Sequence, residues 1–128
     1  ASVPFRFAQP PGYRNALGKI KFLFPNNFSV YMHDTPTKHL FNKDIRAFSH
    51  GCIRLSEPME LLKIFSSFDS AANLAYANKV LKGNTETVLV LKNSIPVDIV
   101  YLTSWIDQNG ELQFRDDIYG YDAMQSRK

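Results

Sequence analysis

The chain has one cysteine in 128 residues, so it cannot staple itself with a disulfide and its stability has to come from packing. No apolar run approaches the ~18 to 20 residues that cross a bilayer, which excludes a membrane-spanning helix. No block of five or more like charges occurs, although the net charge is +3. Scattered Lys and Arg residues argue only weakly for a polyanion, and no nucleic-acid partner is expected. Repeats, low-complexity tracts and Gly/Ser linkers are also missing. The first residues, ASVPFRFAQPPG, lack a basic stretch followed by an apolar one, so no signal peptide is visible and the compartment has to come from function. What remains, 45% hydrophobic and 21% charged residues, is ordinary globular composition. A chain of this length buries roughly two-thirds of its extended surface on folding, enough for a single domain spanning residues 1–128.

The local patterns predict a strand-rich α+β fold. Pro4 to Tyr13 holds three prolines and a glycine and reads as irregular or edge chain. Leu17 to Phe24 alternates apolar and basic residues, and Phe28 to His33 places Phe28, Val30 and Met32 on one face. Both read as strands, joined by a turn at Pro25, Asn26 and Asn27, with His33 at a strand's C-terminal end. Asp34 to His50 has no clean period and reads as a long surface loop of the kind that carries function. Ser56 is expected to cap a helix to about Phe65, with Met59, Leu61, Leu62 and Phe65 inward. Ser70 is expected to cap a second helix, Ala71 to Lys82, stopped by a left-handed Gly83. Thr87 to Leu91 and Val97 to Ile106 are β-branched and aromatic runs, and Asn109-Gly110 turns the chain into a short strand at Leu112 to Phe114. Trp105, Tyr101 and Phe114 are expected in the core. Short connections favour a mainly antiparallel or mixed sheet over a doubly wound one.

The chemistry concentrates around Ser49-His50-Gly51-Cys52-Ile53-Arg54. A thiol attacks only once deprotonated, and an imidazole or a cationic neighbourhood supplies that activation. His50 lies two residues from Cys52, on the same face of extended chain, and His33 lies nineteen residues upstream at a strand end. Gly51 lets the backbone turn sharply, so the Gly51 and Cys52 N–H groups are candidate donors to an oxyanion. The bland alternative is a buried, inert thiol. Arg54 either binds a substrate carboxylate or clamps the loop. Arg14, Lys19 and Arg46 read as solvated charges or weak substrate contacts, and His39 and Tyr31 as surface residues or groove lining. A zinc site from Cys52, His50, His33 and His39 matches no usual ligand spacing.

His33-Asp34 followed fifteen positions later by Ser49-His50-Gly51-Cys52-x-Arg54 resembles the signature of the YkuD-type L,D-transpeptidase catalytic domain. Asn15 to Phe22, Val30 to Pro36, Leu40-Phe41, Arg46, Ile95 to Val97 and Asp117 to Tyr119 are similar to its YcbB-like subgroup. The resemblance implies a β-sandwich or mixed sheet with two short helices, and a cysteine acyltransferase working on peptidoglycan stem peptides in the periplasm of a Gram-negative bacterium. Cys52 would be the nucleophile and His33 the base, oriented by the backbone carbonyl of the residue that follows it, Asp34. His50, Gly51 and Ser49 would shape the pocket and oxyanion hole, and Arg54, Asp34, Tyr31 and Arg46 are the candidate substrate contacts. No metal, nucleotide or organic cofactor is implied, and a carbapenem would acylate Cys52. An L,D-carboxypeptidase acting on the same substrate and a non-catalytic peptidoglycan-associated module are the competing readings.

The family's domains open with strands carrying a T-P-x-G-type segment, absent from the roughly thirty residues before His33. The opening strands are therefore expected outside this chain. A truncated sheet exposes an edge, so the source protein is expected to be longer, or the edge to be covered by another chain.

Overall fold

The computed structural model describes residues 4–5, 7–49 and 51–126. It forms two compact units, Ala1–Ile95 and Pro96–Lys128. The first holds a three-stranded sheet, β1 (Lys21–Phe22), β2 (Met32–His33) and β3 (Ile53–Arg54), in that spatial order. β1 and β2 pair antiparallel, with Lys21 opposite His33. β2 and β3 pair parallel, with Met32 opposite Ile53 and His33 opposite Arg54. This is the expected mixed α+β arrangement, built from shorter strands than the periodicity predicts.

The shortening has a local cause. Asn26 accepts from the amides of Phe28 (3.0 Å) and Val30 (3.0 Å) and donates to the carbonyls of Phe24 (2.9 Å) and Val30 (2.6 Å). A side chain bonded four ways to its own turn takes those backbone groups out of the ladder. On the other side of β1, Gly12, Asn15 and Gly18 bond to one another through their backbones, so residues 12–18 form a closed turn instead of extending the strand. The expected loop after β2 also carries a 3₁₀ turn, Lys38–Asn42.

Helix α1 spans Pro58–Phe68. Its N-cap is Glu57 rather than Ser56, because Pro58 takes the first helical position and holds the residue before it out of helical geometry. The Ser56 carbonyl instead accepts from Lys38 Nζ at 2.6 Å. Pro58 and Leu62, the latter at 7% exposure, are the helix's buried residues, and Phe65 meets Phe22 of β1 edge-on at 5.5 Å. The second helix starts later than predicted. Ser70–Ala72 is a 3₁₀ turn, and α2 runs Leu74–Leu81 with the Asn73 side chain accepting from Tyr76 N at 2.9 Å. Asn caps a helix as well as Ser does, and the chain uses the one nearer the apolar stripe. Gly83 does not adopt a left-handed conformation: Lys82 is still right-handed, and the helix closes with a Gly83 N–H to Val80 carbonyl bond of 2.9 Å.

Thr87 to Leu91 forms no strand ladder among the described residues. The alternation is there, with Leu89 and Leu91 half-buried and Val88 and Val90 72% and 75% exposed, but β-propensity becomes a strand only when a neighbour is present. In the second unit, β4 (Ser104–Ile106) and β5 (Leu112–Phe114) form the antiparallel hairpin expected around Asn109-Gly110. Only three residues of the Val97 to Ile106 run are in it. Phe114 is 66% exposed rather than core, because the register puts it opposite Ser104 on the hairpin's open face. A short helix, α3 (Tyr121–Gln125), follows; Tyr121 N and Asp122 N bond to the Asp117 carboxylate at 3.1 and 2.8 Å.

Asp69, between α1 and the 3₁₀ turn, is 1% exposed. Its oxygens accept from Ala71 N (2.8 Å) and Asn93 N (2.9 Å), joining the helical region to the segment after residue 92. The Asn93 and Ala71 amides hold its carboxyl below the ordinary 3.8, against the effect of burial. Its contribution to stability is complete above pH 3.8 and is lost as pH falls through the lower folded-state value. Asp69→Ala should lower the thermal midpoint at pH 7 by roughly 5 °C or more and flatten the acid limb of the stability curve, both measurable by circular dichroism.

Candidate active site

Alternate residues of a strand share a face, and a parallel register keeps opposite positions on the same side. With His33 opposite Arg54, the positions two residues back, Tyr31 and Cys52, also come side by side. One face of the β2–β3 pair therefore presents Tyr31, His33, Cys52 and Arg54 as a two-by-two patch. Backbone bonds from Ile53 N to the Tyr31 carbonyl (2.9 Å) and from Leu55 N to the His33 carbonyl (2.8 Å) hold the two strands in this register.

His33 is 4% exposed, and its Nδ1 lies 2.5 Å from the backbone carbonyl of Asp34. A carbonyl can only accept, so Nδ1 carries the proton, and in the neutral ring Nε2 keeps the lone pair. The ring also meets Tyr31 at 5.9 Å between centroids. Burial pushes the Tyr31 phenol above its ordinary value, hydrogen bonding and charge at the Cys52 sulfur push it further, and Lys21 opposes both.

Cys52 is a free, half-buried thiol. The loop before it is organised by Ser49, whose hydroxyl donates to the Cys52 carbonyl at 2.7 Å and accepts from Gly51 N at 3.3 Å. Gly51 has φ of 145°, a value that disfavours any side chain, while the space beside it is ordinary. Arg54 turns its guanidinium to the Phe48 carbonyl at 3.1 Å, clamping the same loop from the other side. His50 lies outside the described residues.

His33, Cys52 and Arg54 line a cleft of about 320 Å³ together with Ser49 and Gly51. Phe28 and Phe48 contribute apolar wall, at 85% and 45% exposure. Ser29, also in the wall, has a positive φ of 55°, held by the Asn26 turn. The sequence reading missed Phe28, Ser29 and Phe48 as lining. The Pro25-Asn26-Asn27 turn was visible, but not that it faces the Cys52 loop.

The family model of the L,D-transpeptidase catalytic domain, YkuD, matches residues 2–99. A curated Haemophilus influenzae protein named "Putative L,D-transpeptidase" is 37% identical over 121 residues, covering 94% of this chain. The chain belongs to the YkuD L,D-transpeptidase family. It spans 24% of that relative's length.

The remaining candidates of this L,D-transpeptidase domain sit away from the cleft lining. Arg46 Nε donates to the Lys43 carbonyl at 2.7 Å within the loop. The Asp34 carboxylate accepts from Lys19 N at 3.0 Å and pairs with Lys38 Nζ at 2.9 Å. Burial would raise its pKa, but Lys38 and the Lys19 and Thr35 amides together hold it below its ordinary value. His39 is exposed on the 3₁₀ turn.

Gly18 packs so closely under Asp34 that an added Cβ would lie 2.6 Å from Asp34 Cβ, and its φ is 63°. Gly18→Ala should therefore cost about 2 kcal/mol or more in denaturant unfolding. It should also slow alkylation of Cys52 by iodoacetamide, because Asp34 carries the carbonyl that aims His33.

Proposed function

We propose that this domain is a cysteine acyltransferase forming 3→3 peptidoglycan crosslinks in the periplasm, with Cys52 as nucleophile and His33 as base. The observation that carries this reading is the His33 ring, fixed through Nδ1 with Nε2 left to accept a proton, beside Cys52 in one cleft. His33 takes the thiol proton as Sγ attacks the carbonyl of the third stem residue. The carbon–nitrogen bond to the terminal D-Ala then breaks, the proton passes from His33 to the leaving amine, and a thioester remains. An acceptor amine, deprotonated by the same imidazole, attacks the thioester, giving the crosslink and regenerating the thiol.

Because Gly51 N–H is directed at Ser49 Oγ, the Cys52 amide is the donor best placed for the developing oxyanion. Arg54 in the cleft wall suits a stem carboxylate, and the phenylalanine walls suit the aliphatic part of the peptide. Exposed Val88 and Val90 support a further strand, from a longer polypeptide or another chain, lying over residues 87–91.

The test is incubation of the full-length enzyme with a tetrapeptide-stem muropeptide, followed by mass spectrometry. Crosslinked dimers plus D-Ala are expected, with Cys52→Ala inactive and His33→Ala slowed ~10² to 10⁴-fold. Tripeptide without dimer would instead establish a carboxypeptidase. Neither product, and no covalent carbapenem adduct at Cys52 of the folded protein, would establish a non-catalytic module.

A further inference from the structure

We propose that Lys38 is a positioning residue for the Cys52–His33 pair, locking the end of β2 to the end of β3. The inference rests on the assignment of those two residues above. Lys38 Nζ makes three contacts that span two chain segments: Asp34 Oδ1 at 2.9 Å, the Leu55 carbonyl at 2.9 Å and the Ser56 carbonyl at 2.6 Å. An ammonium has three protons to donate, so this set uses all of them.

Two features make this more than a surface ion pair. Asp34 is held at both of its ends: its carbonyl receives His33 Nδ1, and its carboxylate, with 17% of the side chain exposed, receives Lys19 N and Lys38. Releasing the carboxylate loosens the residue whose carbonyl aims the imidazole. Leu55 is likewise held twice, its amide on the His33 carbonyl and its own carbonyl on Lys38. Each strand is only two residues long, so the ladder alone specifies its register weakly. A slip of one residue would turn Cys52 to the opposite face of the sheet. Lys38 ties both strand exits to one atom, opposing such a slip.

The experiment compares Lys38→Met, Lys38→Arg and His33→Ala in the full chain, with Lys63→Met as control; Lys63 forms an exposed ion pair with Glu60 on α1. The readouts are the pH profile of Cys52 alkylation by iodoacetamide, kcat and KM on a tetrapeptide muropeptide, and the circular dichroism melt. Lys38→Met should lower the alkylation rate and kcat at least tenfold with KM within twofold. Lys38→Arg should recover part of the loss, and Lys63→Met should match wild type. An alkylation profile and kcat within twofold of wild type in folded Lys38→Met would overturn the proposal. Should Lys38→Met not fold, folded Asp34→Asn takes its place, with the same outcomes deciding. Alkylation unaffected by His33→Ala would instead remove the His33 assignment, and the proposal with it. Sensitivity to His33→Ala without sensitivity to Lys38→Met removes only the role of Lys38.

Discussion

The cleft depends on the parallel pairing of β2 with β3. Parallel strands cannot be joined by a tight turn, so the chain has to leave His33, travel over the surface and return before Ile53. That excursion supplies the 3₁₀ turn carrying Lys38, the Phe48 wall and the Ser49 to Cys52 loop. One topological requirement thus accounts both for the long irregular segment and for the meeting of an imidazole and a thiol far apart in sequence.

With so little regular structure, the chain is held together at its loops by carboxylates. Asp69 and Asp107 have pKa values lowered by backbone amides, from Asn93 and Ala71 in one case and Glu111 and Asn109 in the other. Burial opposes the shift in all four acids; in Asp34 and Asp117 it is the largest single influence and is outweighed by donors, Lys38 first for Asp34 and Tyr101 first for Asp117. Each acid gathers donors from chain that no ladder or helix satisfies, a role that Asn26 fills with a neutral amide. These bonds do locally what longer strands would do cooperatively.

The elements legible in the sequence were those whose determinants are close together. Pro58 with Leu62 and Phe65 makes a helix from local chemistry, as Asn109-Gly110 makes a hairpin from turn geometry. The caps differ from expectation for two reasons: Asn73 caps as well as Ser70 does and lies nearer the apolar stripe, whereas Pro58 at the first helical position moves the other start to Glu57. The Thr87 to Leu91 run failed as a strand for a different reason: its alternation is local, whereas a ladder needs a second strand.

The same division runs through the site. Sequence alone determined which reactive groups the site holds: one thiol in Ser-His-Gly-Cys-x-Arg and a histidine nineteen residues before it, since residue types and motif spacing are properties of the chain. The family resemblance also implied the Asp34 carbonyl as the group orienting the imidazole, and His33 Nδ1 lies 2.5 Å from it. Only the tertiary structure decided that Asp34's carboxylate goes to Lys38 and Lys19, that Arg54 clamps the Phe48 carbonyl, and that Phe28 faces the same cleft as Phe48. Those are contacts between segments whose approach is set by strand register, a quantity that no single segment encodes.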